Sequence, residues 1–414
     1  MSSLRSAHRD TLVIILGGGQ GERLYPLTRD RAKPAVPFGG IYRIIDFTLS
    51  NCLNSGLRRM YVLTQYKSIS LDRHIRMTWN VLHEELGEFV VPIPPQQRLG
   101  ERWYLGTADA IYQNIYTLEL ERPRRVLILA GDHIYKMNYH AMLRSHDENK
   151  ADITVGGFIV PKSEATRLGV MGVDKDMRVH AFDEKLKNPP TIPGRPNECL
   201  GSMGIYVFNT DALVHLVSED SKRDTSHDFG RDILPKVFKK KRVFAHMLQD
   251  ESGGKPYWRD VGTLDAYWEA NMDLLQSDPP FSLHDPDWPI RRYTGQFAPA
   301  SLISTKNGSL LCDNSIVSHG CVLTDCKVHR SVLSSDVRIG AGTDVTDSII
   351  MEGVRIGEGA CIRRAIIDKY VEVPRGAKVG CDFEADKRRF TVTDSKIVVV
   401  PKGVPETEEY WRQS

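Results

Sequence analysis

Short apolar runs alternate with amphipathic segments along the first two thirds of the chain. The runs are rich in β-branched residues, as are strands that are buried on both faces of a parallel sheet. Five of them stand out, at residues 11–16, 60–64, 125–130, 153–160 and 204–208. Because helical patterns lie between these runs, the sequence predicts an α/β domain with a mostly parallel sheet and helices on both faces.

Two of the helical segments follow a threonine that is placed to cap them, since a hydroxyl can accept a hydrogen bond from the first helical turn. These threonines are Thr107 and Thr263. The apolar positions of the two helices are Ile111, Ile115 and Leu118, and Leu264, Tyr267, Trp268 and Leu275, respectively.

A proline-rich stretch then interrupts the pattern, with Asp-Pro-Pro at 278–280 and Asp-Pro-Asp-Trp-Pro at 285–289. Proline breaks regular structure there, so the stretch is predicted to be a linker. The length of 414 residues also exceeds one ordinary hydrophobic core. We therefore expect a first domain over residues 1–277, a linker over 278–300 and a second domain over 301–414.

Beyond the linker the apolar positions repeat with a period of 17 residues. Four blocks that start at Asn314 align without gaps and carry an aliphatic residue at the third, ninth and fifteenth positions. These residues are Ile316, Leu333, Ile350 and Ile367; Val322, Ile339, Ile356 and Val373; and Val328, Val345, Ile362 and Val379. The spacing gives three short faces per block, which predicts a three-sided parallel β-helix.

Composition narrows the class of protein. The 55 basic and 53 acidic residues leave a formal net charge of +2, which gives no long-range attraction to nucleic acid or to an anionic membrane. The polar N-terminus and the short apolar run after it fit neither a signal peptide nor a membrane span, so we expect a cytoplasmic protein. The seven cysteines include no CxxC pair and are interpreted as structural thiols.

A glycine-rich loop, Gly-Gly-Gly-Gln-Gly-Glu-Arg, follows the first predicted strand at residues 17–23. Gly17, Gly18 and Gly19 allow backbone N–H groups to approach a phosphate closely, and Arg23 can add a positive charge. The loop is neither a Walker A motif nor a dinucleotide fingerprint, because the residues after it match neither pattern. On its own it indicates a tight turn or a generic phosphate site.

Three further charged residues suit phosphate chemistry. Lys33 precedes a proline that restricts its backbone, so its ammonium can lie on a leaving pyrophosphate, although a solvated loop lysine is the alternative. Asp132 ends a predicted strand, where a carboxylate faces the ligand crevice and can hold Mg²⁺. Asp260 can supply a second carboxylate or cap the helix after it.

The adjacent pair Glu184-Lys185 suits either a solvated sheet edge or a pocket for a sugar phosphate, and sequence spacing does not choose between these two interpretations. The chain contains no HExxH motif and no Gly-x-Ser-x-Gly motif. Neither a zinc hydrolase nor an α/β-hydrolase is therefore indicated.

Taken together, these motifs resemble the glucose-1-phosphate adenylyltransferase family, also called the ADP-glucose pyrophosphorylases, of the bacterial glycogen pathway. The resemblance covers nearly the whole chain, and it is carried by residues 17–24, 31–46, 50–56, 103–110, 131–135, 226–230 and 257–263. It implies a Rossmann-like nucleotidyltransferase domain followed by a left-handed parallel β-helix. The implied reaction converts ATP and α-D-glucose 1-phosphate into ADP-glucose and pyrophosphate with Mg²⁺.

The resemblance also implies a role for each matched residue. The implied catalytic residues are Arg23, Lys33, Asp132 and Lys185. The implied ATP site consists of Gly17, Gly18 and Gly19 at the phosphates and Gln97 and Gly106 at the adenine, with Gln65 and Trp103 on communicating loops. The implied glucose 1-phosphate site consists of Tyr104, Gly169, Glu184, Lys185 and Ser202. Asp132 and Asp260 are the implied magnesium ligands.

Assembly and regulation are expected on the same basis. The resemblance implies a homotetramer, and Arg43, Arg388 and Arg389 fit the region in which family members bind small phosphorylated effectors, with ordinary ion pairs as the alternative. Two positions depart from the family pattern. Asp30 stands where many members carry an activator-binding lysine, and Leu186 stands where a proline usually follows the Glu-Lys pair.

Two other functions are compatible with the sequence. One is a catalytically silent regulatory subunit, although such paralogues typically lose one of Arg23, Lys33 and Asp132, which this chain keeps. The other is a sugar nucleotidyltransferase that uses a different base. An additional acetyltransferase activity is not favoured, because His319 and His329 are the only histidines of the repeat and solvated corners explain them.

Overall fold

A computed structural model describes residues 10–96, 103–184, 186–249, 256–293, 295–306, 308–405 and 411. The chain divides into two compact units. The first contains the chain up to residue 19 together with residues 48–131 and 135–258, and the second contains residues 20–47, 132–134 and 259 onward. The predicted boundaries at 277/278 and 300/301 stay a prediction.

The first unit is built on a mixed sheet, which has nine strands in the described part of the chain. The strands are β1 (Thr11–Leu16), β2 (Arg59–Leu63), β3 (Phe89–Ile93), β4 (Arg125–Ala130), β5 (Ile153–Pro161), β6 (Gly169–Val173), β7 (Val179–Glu184), β8 (Glu198–Asn209) and β9 (Val243–Met247). Their order is β7-β6-β8-β4-β1-β2-β3, with β5 also paired to β8 and β9 paired to β5.

The half of this sheet that carries the glycine loop is parallel. Strand β1 pairs in parallel with β2 and with β4, and β2 with β3. Strand β8 is antiparallel to β4 and β5, which makes the whole sheet mixed. The first five residues of β1 and of β4 are all buried, so both faces of these strands are covered, as their apolar sequence predicted. The predicted bounds of β1 and β4 are confirmed.

Helices connect these strands. Those that start before residue 259 are Ile44–Asn54, Ile69–Thr78, Thr107–Tyr112, Ile115–Glu121, Tyr139–Glu148, Thr210–Asp220 and Leu234–Val237, with short helical turns at Glu84–Leu86, Ala165–Arg167 and Phe229–Ile233. The predicted cap at Thr107 is wrong, because the N-cap residue is Gly106 and Thr107 is the first helical residue. The Thr107 hydroxyl instead donates to Asp228 and accepts a hydrogen bond from the Phe229 N–H.

The second unit begins with short elements and then forms the repeat. Its early elements are the turns Glu22–Leu24 and Lys33–Ala35 and the strands Pro37–Phe38 and Tyr42–Arg43. Two more short strands, His133–Tyr135 and Trp258–Asp260, include the residues at which the chain passes from one unit to the other. The helix Leu264–Asp273 starts at Thr263, whose hydroxyl accepts a hydrogen bond from the Ala266 N–H at 3.2 Å. This predicted cap is confirmed, although Leu275 lies beyond the end of the helix.

The repeat forms three parallel sheets. One contains Ser301–Ile303, Val322–Thr324, Arg338–Ile339, Arg355–Ile356 and Glu372–Val373. The second contains Leu311–Asp313, Lys327–His329, Asp344–Thr346, Cys361–Arg363 and Lys378–Val379. The third contains Ile316–Val317, Val332–Leu333, Ile349–Ile350, Ala365–Ile367, Val398–Val400 and, antiparallel, Thr391–Val392, and the helix Phe383–Lys387 precedes that last strand.

The predicted register of the repeat is right except in its first coil. Ten of the twelve aliphatic positions are buried in one core, and the exceptions are Ile316 and Val322. Their neighbours Val317 and Leu323 pair with Leu333 and Ile339 instead, at a spacing of 16 residues rather than 17. Two of the three inward positions of the first coil are therefore shifted by one residue, whereas Val328 keeps the 17-residue spacing to Val345.

None of the described helices is both long enough and apolar enough to cross a membrane.

Candidate active site

The glycine loop leaves the parallel half of the sheet at the end of β1. The Gly17 N–H donates to the Leu63 carbonyl at 2.9 Å, so the loop starts against the end of β2. A Cβ atom on Gly18 would lie 2.9 Å from Cβ of Gln65, which is too close for any side chain, whereas a Cβ on Gly19 would meet open space. Glycine is therefore required by packing at residue 18, and residue 19 leaves backbone accessible to a ligand.

The second half of the loop belongs to the second unit and places a guanidinium. Gly21 adopts a left-handed conformation with φ of 67°, and its carbonyl accepts a hydrogen bond from the Thr28 hydroxyl at 2.8 Å. The turn Glu22–Leu24 follows and presents Arg23, whose side chain is 70% exposed. Its guanidinium lies 3.9 Å from a carboxylate oxygen of Asp260.

Lys33 is the centre of the charged cluster. Its side chain is buried, and its ammonium donates to Oδ2 of Asp132 at 2.8 Å and to Oδ1 of Asp260 at 3.0 Å. The turn Lys33–Ala35, with Pro34 at its start, fixes the lysine backbone, and the Val36 N–H closes the turn on the Lys33 carbonyl at 3.0 Å. The solvated-lysine alternative does not describe this side chain.

The charges in this cluster stabilise one another. Burial alone would lower the pKa of Lys33, but the carboxylates of Asp132 and Asp260 outweigh burial and hold that pKa above its ordinary value. Burial would raise the pKa of Asp132, but the Lys33 ammonium, with help from His133, lowers it to about 2. The Lys33 and Asp132 side chains are therefore both charged at neutral pH.

The donor set suits a magnesium ion that also binds phosphate. Oxygens of Asp132 and Asp260 converge on the same ammonium, so both carboxylates face one point. Mg²⁺ in nucleotide sites is typically held by one or two carboxylates together with phosphate oxygens and water. A Cβ on Gly262 would lie 2.9 Å from the Arg23 guanidinium and from Asp260, so glycine keeps the space beside these groups open.

In the first unit, strands β7, β6 and β8 bring three of the predicted sugar-phosphate residues onto neighbouring positions. Glu184, at the end of β7, pairs with Gly169 of β6. Strand β6 pairs with β8 at Val170 and Gly201, one residue before Ser202. The sequence alone could not establish this adjacency, because it depends on antiparallel pairing between distant segments.

Glu184 has a partner that the sequence analysis missed. Its Oε2 atom accepts a hydrogen bond from Nε of Arg231 at 2.9 Å. Arg231 follows the motif at residues 226–230, and a Cβ on Gly230 would lie only 3.2 Å from Oε1 of Glu184. The glycine thus lets the Arg231 turn approach the carboxylate. The sequence analysis also missed His133, whose Nε2 atom lies 3.6 Å from Oδ1 of Asp132.

The predicted adenine loops also meet within the first unit. The Gln65 amide donates to the Tyr104 carbonyl at 3.4 Å, and the rings of Tyr66 and Trp103 stack with centroids 5.1 Å apart. The Tyr104 hydroxyl accepts a hydrogen bond from Asn114 at 3.1 Å. Gly106 is packed so closely that a Cβ there would lie 2.2 Å from the Ser226 carbonyl oxygen. The predicted residues Gln97 and Lys185 lie outside the described residues.

Comparison with known proteins shows which family shares these features. The family model for nucleotidyl transferases matches residues 12–277, and the model for the GlmU-like C-terminal hexapeptide matches residues 298–400. A glucose-1-phosphate adenylyltransferase of Koribacter versatilis is 49% identical over 398 residues, which is 95% of both chains. That of Rhodopirellula baltica is 50% identical over 409 residues, which is 95% of this chain and 90% of the relative.

The chain belongs to the glucose-1-phosphate adenylyltransferase family. A glucose-1-phosphate adenylyltransferase 2 of Vibrio cholerae adds to this finding, being 47% identical over 400 residues, or 95% of this chain and 98% of the relative. The family resemblance inferred from the motifs is confirmed. So is the fold class: a nucleotidyltransferase domain on a mixed sheet, followed by the left-handed parallel β-helix of hexapeptide-repeat proteins.

Proposed function

We propose that this adenylyltransferase-family chain transfers the adenylyl group of ATP to α-D-glucose 1-phosphate, which gives ADP-glucose and pyrophosphate. ADP-glucose is the glucosyl donor of glycogen synthesis. The observation that carries the proposal is the Lys33 ammonium held between Asp132 and Asp260, with the exposed guanidinium of Arg23 beside them. Relatives of the whole chain that bear the name of this activity support the choice of substrates.

The proposed reaction needs charge neutralisation more than base catalysis. An oxygen of the sugar phosphate forms a bond to the α-phosphorus of ATP, while the bond from that phosphorus to the bridging oxygen breaks and pyrophosphate leaves with the electron pair. A phosphate dianion is already a competent nucleophile. Lys33 and Arg23 would therefore act by binding and neutralising the phosphates, and the glycine loop by donating N–H groups.

Asp132 and Asp260 would hold Mg²⁺, which when bound neutralises charge on the phosphates of ATP. The low pKa of Asp132 keeps this carboxylate ionised at any pH at which the enzyme works. Because Lys33 is the present partner of both carboxylates, we expect its ammonium to exchange between them and the pyrophosphate of ATP.

Glu184 would accept hydrogen bonds from hydroxyl groups of the glucose. Its hydrogen bond to Arg231 fixes one carboxylate oxygen and leaves the other for the sugar. Gly169 and Ser202 on the adjoining strands would form the neighbouring wall, and Lys185 would bind the sugar phosphate.

A nucleotide panel tests the proposal. Pyrophosphate release from purified chain with glucose 1-phosphate and Mg²⁺ is measured separately with ATP, UTP, dTTP and GTP. We expect ATP to give the highest kcat/KM. A higher value with another nucleotide would show a transferase of a different base, and turnover with none would show a silent subunit.

The other expectations stay predictions: the homotetramer, the cytoplasmic location, and binding of phosphorylated effectors by Arg43, Arg388 and Arg389. Arg389 already has a partner, because its guanidinium donates to the buried Asp386 carboxylate at 3.0 Å. Arg388 is exposed. If an effector binds this part of the chain, Arg388 is therefore the freer of these two adjacent cations.

A further inference from the structure

Two cysteines of the β-helix lie in contact although they are 20 residues apart. The thiol of Cys381 donates to Sγ of Cys361 with the two sulfur atoms 3.3 Å apart. Both cysteines are free thiols, and a disulfide bond of about 2.0 Å would need a movement of only about 1 Å. Nothing in the proposed transfer reaction uses either thiol.

The backbone around Cys381 fixes this contact. Gly380 has φ of 74°, and a Cβ there would lie 1.8 Å from the Arg363 carbonyl oxygen, so only glycine lets the chain approach the strand of Cys361 so closely. The Gly380 N–H also donates to the buried carboxylate of Asp386 at 2.8 Å. Asp386 is itself held by Arg389 at 3.0 Å. Cys381 is thus positioned by a buried network rather than by a loose surface turn.

Reagents in solution can reach the pair. Cys381 is exposed and Cys361 is half-buried. Cys381 also lines a cavity of about 460 Å³. Its walls carry three cations, Arg375, Lys378 and Arg389, and two carboxylates, Asp382 and Asp386, so the cations are in excess. In contrast, Cys321 and Cys326 of the same domain are buried in its core. A small anionic molecule can therefore approach this pair of thiols more readily than those two buried cysteines.

The direction of the hydrogen bond between the two thiols assigns them different roles in the reaction. Partial desolvation of the Cys381 sulfur, together with its hydrogen bond to Cys361, raises the pKa of Cys381 to about 12, so this thiol stays protonated at neutral pH. Cys361 is the acceptor of this hydrogen bond, so the proton between the two sulfur atoms is carried by Cys381. Cys361 is therefore the better attacking group.

We propose that Cys361 and Cys381 are a redox-active pair that a low-molecular-weight disulfide carrying carboxylates converts into an intramolecular disulfide. The Cys361 thiolate attacks one sulfur of the small disulfide and expels a small thiolate, which leaves a mixed disulfide. Cys381 gives its proton to the small thiolate released in the first step, attacks the Cys361 sulfur and expels a second small thiolate, which takes up the proton that Cys361 lost. Two protein thiols are oxidised while one small disulfide is reduced to two thiols.

The test uses the full chain under native conditions. Reduced protein is incubated with glutathione disulfide, its remaining thiols are alkylated, and intact mass and peptide mapping identify the modified cysteines. We expect two of the seven thiols to disappear and a peptide to link Cys361 with Cys381, with both thiols restored by dithiothreitol. Faster oxidation of any other cysteine, or no link between these two, would overturn the proposal.

Matched variants separate the role of the Cys361 thiol from that of the Cys381 thiol. Cys381→Ser should stop at a stable glutathione adduct on Cys361, because the second step lacks its thiol. Cys361→Ser should react at least tenfold more slowly at Cys381. The control Cys312→Ser removes another partly buried cysteine of the β-helix and should leave the link unchanged. Equal rates at Cys361 and Cys381 in the two single variants would contradict the assigned order of attack. The peptide mapping described above uses the unaltered chain, so it tests the disulfide even if a variant fails to fold.

Discussion

The ammonium of Lys33 lies 2.8 Å from the carboxylate of Asp132, although 99 residues separate them along the chain. The same ammonium reaches Asp260 at 3.0 Å, so one buried lysine joins two carboxylates from distant segments. Removing one partner of such a buried ion pair leaves an uncompensated charge, which lowers the stability of the folded protein. The cluster is therefore a structural contact, and we propose that it also supplies the charges that bind a nucleoside triphosphate with its metal.

Replacing Lys33 should greatly reduce turnover while the protein still folds. Lys33→Met removes the cation that would neutralise the departing pyrophosphate, and we expect kcat to fall roughly 100- to 1000-fold, as for loss of one transition-state donor. Steady-state kinetics measures this fall, and circular dichroism checks the fold. The exposed Lys175→Met is the matched control and should be near normal. Equal losses of kcat in the two variants would contradict a role for Lys33 in the active site.

Arg231 is expected to act by positioning Glu184. Arg231→Ala frees the carboxylate to rotate, so KM for glucose 1-phosphate should rise about tenfold, while KM for ATP changes little. Arg231→Lys should recover part of the effect. Kinetics with each substrate varied in turn separates the two constants, and the exposed Arg223→Ala controls for loss of a nearby surface charge. A change confined to KM for ATP would contradict this role.

The shifted register of the first β-helix coil can be measured as stability. Leu323 is fully buried and paired with Ile339, whereas its neighbour Val322 is only partly buried. Leu323→Ala should therefore lower the free energy of unfolding by about 2–5 kcal/mol, and Val322→Ala by clearly less. Denaturant titration of both variants provides the comparison. A larger loss of unfolding free energy for Val322→Ala would indicate that the unshifted 17-residue register is the correct one.

His246 should make the first unit less stable at acidic pH. It lies in β9, where burial and then the nearby charge of Arg144 lower its pKa to about 4 from an ordinary 6.5. Between these values the unfolded chain binds a proton that the folded chain does not, so this contribution to stability is present above pH 6.5 and is lost as the pH falls.

The variant His246→Gln should then lose less stability than the unaltered chain when the pH is lowered from 7.5 to 5. Thermal unfolding at the two pH values provides the measurement. The exposed His180→Gln is the control and should behave like the unaltered chain. An identical pH dependence in all three proteins would exclude His246 as a cause.

Much of this fold follows from local sequence pattern. The continuous apolar runs predicted β1 and β4 with their observed ends, and the 17-residue period predicted the coils from Leu333 onward. The error in the first coil arose because Ile316-Val317 and Val322-Leu323 are pairs of adjacent apolar residues. Only the first member of each pair fits the 17-residue period, so the pattern selected it, whereas the pairing with the next coil places the second member opposite Leu333 or Ile339.

Long-range contacts explain what the sequence did not predict. The cap at Thr107 failed because its hydroxyl is used by Asp228 and Phe229, which are more than 100 residues away in the chain. Arg231 was missed because its partner Glu184 is 47 residues away and no local pattern links them. The family motifs predicted Lys33, Asp132 and Asp260 as site residues, but their mutual contacts emerged only from the fold.

Product formation tests the central claim most directly. Purified chain is incubated with ATP, α-D-glucose 1-phosphate and Mg²⁺, and ADP-glucose and pyrophosphate are quantified by chromatography and mass spectrometry, beside a folded Asp132→Asn variant. We predict equal amounts of the two products from the unaltered chain, and turnover lower by several orders of magnitude in the variant. Absence of ADP-glucose from the unaltered chain, or near-normal turnover without the Asp132 carboxylate, would contradict the account.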